Sequence, residues 1–323
     1  MLRKVLVLGG TGFVGRHVCE KLARLGVGLT VPTRRRRNAG SLATLPTLDL
    51  VETDIHDSAR LAALLPGHDA VVNLVAILQG DEAAFERTHV LLPQKLAHAC
   101  QQAGVRRLVH ISALGADLRN PAGLPSMYLR SKSRGEQVLH QADLALTLIR
   151  PSVIFGAEDR FLNIFADLQR IAPFVPLAGA QARLQPVWVE DVAAAVVACL
   201  SGPHERDSVG QIYEAFGPEV YTLAELVQLA GRISGVAQGR GRPVLPLPPA
   251  LAWLQARLME LMPGEPLLSR DNLQSLSVPN VATGHHPGLQ ALGITAASLQ
   301  VIAPTYLGHR GWRSTLMARR QGR

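Results

Sequence analysis

The stretch YLRSK sets Tyr128 and Lys132 four residues apart, one turn along the same face of a helix. A phenol beside an ammonium is a proton-exchange pair. The positive charge favours the phenolate, so the hydroxyl can trade its proton with a carbonyl or alcohol oxygen. Ser112, in VHISALGA, is a hydroxyl able to orient such an oxygen. A Tyr-x-x-x-Lys pair arises often by chance, so its weight depends on what precedes it in the chain.

What precedes it is VLVLGGTGFVG, with Gly9, Gly12 and Gly15 spaced G-x-x-G-x-x-G after a strand and at the start of a helix. Gly9 permits a tight turn, Gly12 lets the backbone approach a pyrophosphate, and Gly15 allows close packing of helix on sheet. The helix amino end then offers unpaired N–H groups and partial positive charge to phosphates. Strand–loop–helix context makes this a dinucleotide fingerprint rather than a bare glycine turn. An NAD site places a carboxylate at the end of the second strand, on the ribose 2′-hydroxyl. Here that strand ends in Thr33 followed by Arg34, Arg35, Arg36 and Arg37. A guanidinium fork suits a 2′-phosphate, so the chemistry favours NADP(H) over NAD(H). Arg36 and Arg37 read as solvated. Asp54, after the third strand, is placed to accept from the adenine amino group; the alternative is that Asp54 or Asp57 caps the next helix.

The elements that must position these residues follow from hydrophobic period. Residues 4–8 are a continuous apolar strand, and residues 12–25 carry Val14, Val18, Leu22 and Leu25 at helical spacing. Strand-like runs recur at 29–33, 48–51, 70–75, 107–111 and 146–150. Helical patterns lie between them near 58–65, 82–103 and 127–141. The alternation predicts an α/β fold, a Rossmann-type doubly wound parallel sheet. A core over 1–155 is expected. Residues 156–310 form a mixed remainder that contributes a late sheet strand and a smaller, α-rich C-terminal lobe. A basic, mobile tail follows over 311–323.

Composition excludes other classes. Hydrophobic residues make up 47% and charged residues 18% of the 323, enough to bury a large core. The net charge is +8, yet the basic clusters lack interleaved aromatics and no nucleic-acid-binding motif is present, so no nucleic-acid partner is expected. Three scattered cysteines, Cys19, Cys100 and Cys199, suit reduced thiols in a cytoplasmic setting, with neither a disulfide framework nor a metal site. No apolar run has membrane-spanning length.

Taken together, the loop, the Tyr-x-x-x-Lys pair and Ser112 resemble the extended or atypical short-chain dehydrogenase/reductase superfamily. The stretches YLRSKSRGE, RPSVIFGAEDRFLNIFA, QPVWVEDVAAAVV, SRDNLQSLSVPNV and HPGLQALGI are similar to one branch, the nucleotide-binding accessory subunit of respiratory complex I and its bacterial relatives. The resemblance implies a tightly held NADPH. Gly9, Thr11, Gly12, Phe13 and Gly15 would hold the pyrophosphate, Arg34 and Arg35 the 2′-phosphate, and Asp54 with Ile55 the adenine. Val75 and Ala76 would line the ribose, Lys132 would bond the nicotinamide ribose, and Pro151, Val153 and Ile154 would pass near the carboxamide. One position departs from the pattern. The slot for the substrate-bonding hydroxyl falls on Ala113, with Ser112 one residue early, and a one-residue shift at a strand end turns a side chain the other way.

Two readings follow. The first is a structural, assembly or quinone-linked respiratory role, with a respiratory-complex protein as partner. The second is an NADPH-dependent reductase or epimerase using Tyr128, Lys132 and Ser112 on a small carbonyl or sugar-like substrate. A redox sensor of the NmrA type is a third. The sequence does not fix the oligomeric state. In the C-terminal lobe, Leu251, Leu254, Leu258, Leu261 and Met262 form an apolar stripe expected to pack on its own domain. The alternative is a peripheral place at the inner face of a membrane, helped by the arginine-rich tail.

Overall fold

The computed structural model describes residues 2–261, 266 and 268–308; Met262 and the tail from 309 onward lie outside the described residues. Six strands and their crossovers open the chain: β1 Lys4–Leu8, α1 Phe13–Arg24, β2 Gly28–Thr33, β3 Leu48–Glu52, α2 Ser58–Ala63, β4 Ala70–Asn73, α3 Glu82–Glu86, α4 Leu92–Ala103, β5 Arg107–Ile111, α5 Met127–His140 and β6 Ala145–Pro151. A later strand, Ile212–Ala215, joins them as the expected contribution from downstream. The seven are parallel, in the order Ile212–Ala215, β6, β5, β4, β1, β2, β3. The order reverses between β1 and β4, so their carboxyl ends flank the crevice where open α/β sheets bind ligands.

The strand β1 reads as an unbroken apolar run because both sheet faces are covered there. Val5, Leu6, Val7 and Leu8 are all fully buried. One face packs Leu6, Leu8 and Leu108 against Leu61, Leu92, Leu96 and Leu139 of the helices. On the other face, α1 lies against the helix Val189–Leu200. Glu190 joins the two at their surface, reaching His17 Nδ1 at 2.6 Å and Lys21 Nζ at 2.7 Å.

The single helix expected over 82–103 is broken. Between α3 and α4 lies one wide turn, Arg87–Leu91, with π-type hydrogen bonding. Pro93, early in α4, has no N–H to give the carbonyl four residues back, which is that of His89. Gly135 of α5 packs onto that same carbonyl: a Cβ there would lie 1.9 Å from it. The break lets α5 approach closely, and a bulge of this kind often marks a functional site.

The chain divides into two interleaved compact units. The first is Met1–Pro151, Val189–Ala215 and Ala282–Thr295; the second is Ser152–Trp188, Phe216–Val281 and Ala296–Arg323. In the second, helices Leu162–Ile171, Leu223–Ile233 and Leu299–Leu307 enclose a core of Phe155, Leu162, Leu226, Val227 and Leu307. A short parallel ribbon pairs Val175–Leu177 with Val244–Pro246, and the helix Pro249–Glu260 follows it. That helix reverses the expected packing. It buries Ala252 and Ala256, while Leu251, Leu254, Leu258 and Leu261 are 48–76% exposed. Small alanines permit close approach to neighbouring chain, so the leucine stripe faces out.

Candidate functional site

The glycines of the first loop do different work. Gly9 has φ +80°, left-handed space that glycine enters without strain. A Cβ on Gly10 would lie 2.8 Å from Val31 Cγ1, and one on Gly15 would lie 2.3 Å from the Gly9 carbonyl oxygen. These residues let the loop fold onto strand and helix. Gly12 is different: it is the N-cap of α1, and a Cβ there would meet only the Gly9 oxygen, at 3.2 Å. No side chain caps the helix and no carboxylate sits in its first turn, so its N–H groups and partial charge remain open to an anion. The cradle therefore fits a pyrophosphate. Thr11 takes part through its carbonyl, which accepts from Arg16 Nε at 3.2 Å. Phe13 stands edge-on to His17, ring centroids 5.9 Å apart.

At the end of β2, Arg34 and Arg35 are exposed. The loop is shaped by Thr33, whose Oγ1 donates to the Arg35 carbonyl at 3.1 Å. Arg36 is not merely solvated: its guanidinium donates to the Leu50 carbonyl at 3.1 Å and its backbone N–H to Glu52 at 3.1 Å. That ties up the third arginine and one carboxylate, while Arg34, Arg35 and Arg37 remain exposed. After β3 the two aspartates separate. Asp57 caps α2, accepting from Ala59 N at 2.9 Å and Arg60 N at 3.1 Å. Asp54 accepts from His56 N at 2.9 Å and is exposed, while half-buried Ile55 packs on the core.

Beyond β4 a buried polar framework appears that sequence reasoning missed. Asn73 Oδ1 accepts from Val75 N at 3.2 Å, which turns its Nδ2 toward His110 Nδ1 at 3.0 Å. His110 is therefore a neutral acceptor, and burial pushes its pKa well down. His89, 2% exposed in the wide turn, accepts from Ile77 N–H at Nε2, 3.1 Å. Its proton is thus on Nδ1, which faces Ser131 Oγ at 2.8 Å; that hydroxyl donates to the Tyr128 carbonyl at 2.9 Å. This chain ties the segment after Val75 and Ala76 to the first turn of α5. Burial, then nearby Lys132, brings the His89 pKa down to about 2, so the imidazole stays neutral. The available signals were faint: a histidine within an apolar strand, another among apolar neighbours ahead of a proline.

Tyr128 and Lys132 lie one turn apart on α5, Tyr128 half-buried and Lys132 buried. The Tyr128 ring stands edge-on to His89, 5.6 Å away, and to Phe85, 6.3 Å away. Burial pushes its phenol up to about 12, overriding the lowering expected from Lys132. Lys132 is 2% exposed and donates to the Ile111 carbonyl at 2.8 Å. Burial lowers it to about 8, against the pull of Glu136. Glu136 is itself held by both Arg150 Nε, 2.9 Å, and Arg150 Nη2, 2.6 Å. Ser112, directly after Ile111, donates its backbone N–H to the Ile149 carbonyl at 2.7 Å, yet its buried hydroxyl has no hydrogen-bond partner. Ala113 beside it is buried as well. Pro151 ends β6 and its carbonyl accepts from Leu114 N at 2.9 Å. Val153 and Ile154 belong to the second unit, where Asn280 Oδ1 accepts from Val153 N at 3.1 Å.

Comparison with known proteins is consistent with this geometry. Residues 5–215 match the model of the NAD dependent epimerase/dehydratase family. NADH dehydrogenase (ubiquinone) 1 alpha subcomplex subunit 9, mitochondrial, of Mus musculus is 33% identical, over 95% of this chain and 80% of that protein. A ceramide reductase of Caulobacter vibrioides is 29% identical over 62% of this chain and 61% of its own. Among solved structures, MoeE5 in complex with UDP-glucose and NAD superposes with a TM-score of 0.67 at 20% identity, covering 97% of this chain and 99% of the other.

Proposed function

From the premise that the chain belongs to the NAD dependent epimerase/dehydratase family, we propose that it holds NADP(H) tightly and serves a structural or assembly role beside a respiratory, quinone-linked protein partner. The observation that carries the reading is the Gly12 cradle: an uncapped, carboxylate-free helix start one strand away from the exposed Arg34 and Arg35. In this reading Gly9, Gly12 and Gly15 seat the diphosphate against the amino end of α1. Arg34 and Arg35 grip the 2′-phosphate, and Asp54 with Ile55 meets the adenine. Val75 and Ala76 line the ribose, and Pro151 approaches the carboxamide. The bound dinucleotide supplies a hydride when it reacts at all. Lys132 positions the ribose hydroxyls and keeps a positive charge beside them, while Tyr128 keeps its proton. The location that suits these roles is the cytoplasmic side of a membrane.

A second reading, an NADPH-dependent reductase or epimerase, is favoured by one observation: the buried, unpartnered hydroxyl of Ser112 next to the strand end that holds Lys132. One experiment separates the two. Protein loaded with NADPH is mixed with small aldehydes, ketones and sugar nucleotides, and nicotinamide fluorescence is followed through a single turnover. The structural reading expects slow exchange of NADPH and no oxidation. Oxidation that is lost in Tyr128→Phe selects the second reading, and failure of NADPH to bind sinks both.

A further inference from the structure

The helix Pro249–Glu260 and the ribbon before it present an apolar face that no described residue of the second unit covers. Leu251, Leu254, Leu258 and Leu261 are 52%, 48%, 57% and 76% exposed, and Phe174 and Leu245 on the ribbon are 46% and 47% exposed. At about 100° per residue the four leucines fall within an arc of about 80°, opposite buried Ala252 and Ala256. Exposed apolar surface of this kind marks an interaction site.

Its chemistry selects the occupant. Between 243 and 261 the other exposed residues are prolines, Ala250, Trp253 and a single charge, Arg257. A protein interface needs about one hydrogen bond per 100–200 Å², and this face offers almost no side chain to make one. Strand addition at the ribbon is also blocked, since Pro246 within it and Pro243 before it lack the N–H that a new strand requires. The rim, by contrast, is cationic. Arg240 and Arg242 lead into the ribbon. Arg257 and Arg270 each lie 5.6 Å from the Trp253 ring. The nearby acid, Glu260, is taken up by Arg270 at 2.8 Å. Leucines at the centre, an indole at the edge and guanidiniums around them match a surface that is apolar below and anionic above.

We infer that this face docks on an anionic lipid surface, the leucine stripe entering the acyl boundary and the arginines lying among the headgroups. No helix among the described residues is long and apolar enough to cross a membrane, so the attachment is peripheral. It names a partner surface for the proposed role but does not depend on dinucleotide binding, which uses the first unit.

The test is sedimentation of the full chain with vesicles of phosphatidylcholine alone and of phosphatidylcholine mixed with phosphatidylglycerol, with nicotinamide fluorescence reporting NADPH binding separately. Wild type is expected to partition to the anionic vesicles at least about tenfold better than to the neutral ones. Leu251→Ser/Leu254→Ser/Leu258→Ser should lower that partition by about tenfold or more, with an unchanged circular dichroism melt. Arg240→Gln/Arg257→Gln should remove most of the preference for anionic lipid. If the triple variant fails to fold, Leu261→Ser alone carries the test. Wild type that ignores both vesicle types overturns the inference, as does a leucine variant that binds like wild type. A concentration-dependent dimer in light scattering that those leucine changes abolish assigns the face to a second copy instead. Capture of a protein partner through the leucines, without vesicle binding, overturns it too.

Discussion

Gly12 and Gly15 are alike in sequence, and the structure predicts opposite consequences for changing them to alanine. At Gly12 the backbone has φ −78° and ψ 177°, which alanine adopts freely, and the new methyl would touch only the Gly9 oxygen at 3.2 Å. Replacing glycine by alanine at a permitted φ/ψ stabilises by about 0.4–1 kcal/mol through the unfolded chain, and a poorer N-cap costs about as much. The net change in the cofactor-free protein should be within about 1 kcal/mol, or a Tm shift of a few degrees. The methyl nevertheless fills the space a diphosphate oxygen would occupy. Displacing two charge-assisted hydrogen bonds, at about 1.5–3 kcal/mol each, weakens NADPH binding by at least about a hundredfold.

At Gly15 the Cβ would sit 2.3 Å from the Gly9 oxygen and 2.6 Å from the Gly10 Cα, so backbone, not a flexible side chain, must move. Overpacking of that kind costs about 1–3 kcal/mol or more, and Gly15→Ala should melt several degrees below wild type while also losing NADPH. Thermal melts without cofactor, paired with calorimetric titration of NADPH, give both numbers for both variants. A Gly12→Ala protein that binds NADPH within threefold of wild type refutes the cradle. One that melts as low as Gly15→Ala shows that Gly12 is structural.

Arg34→Ala should reduce the ratio of the NADH and NADPH dissociation constants by about tenfold or more, and equal affinity of wild type for the two dinucleotides would refute the 2′-phosphate assignment. His89→Leu removes the acceptor of the half-buried Ile77 N–H, at a cost of about 1 kcal/mol; faster hydrogen exchange at Ile77 is the local readout, and an unchanged rate would refute the clamp. Lys132 is depressed from 10.5 to about 8 in the fold, so between those pH values the unfolded chain binds more protons and stability rises with pH. The stability of wild type relative to Lys132→Met should therefore climb by up to about 3 kcal/mol from pH 8 toward pH 10.5, measured by urea melts, and a flat difference contradicts the buried ammonium. Tyr128, pushed up to about 12, should be missing from the phenolate absorbance that appears near pH 10; a Tyr128→Phe difference spectrum at that pH would reveal any earlier ionisation.

The parallel sheet was legible because its central strands, such as β1, are apolar on both faces, and the glycine loop because backbone conformation admits few residues. Asp54 and Asp57 could not be told apart by type; only the turn geometry gives the cap to Asp57. The leucine stripe on 249–260 was legible as a stripe and misread as to side. Periodicity reports which residues share a face, not whether anything covers it. His89 and Asn73 escaped notice because their role depends on partners far along the chain, Ser131 and His110, that meet them only through strand order. At Tyr128 the spacing shows the neighbouring ammonium, but not Phe85 and His89, whose rings stand against the phenol from another element.

Those polar groups also bear on whether the site reacts. His89 is committed to Ile77 and Ser131, Asn73 to Val75 and His110, Lys132 to the Ile111 carbonyl, and Glu136 to Arg150. Each holds a strand end or a helix turn in place, and each would have to surrender a bond to move a proton. Burial raises the pKa of the Tyr128 phenol, which disfavours its phenolate form. Among the described residues, Ser112 keeps a buried hydroxyl with no hydrogen-bond partner. A site with one uncommitted hydroxyl and a rigid polar frame is suited to holding a dinucleotide in a fixed pose. The Lys132 ammonium gives one of its three N–H donors to the Ile111 carbonyl, so it can hold that strand end and a ribose hydroxyl at once.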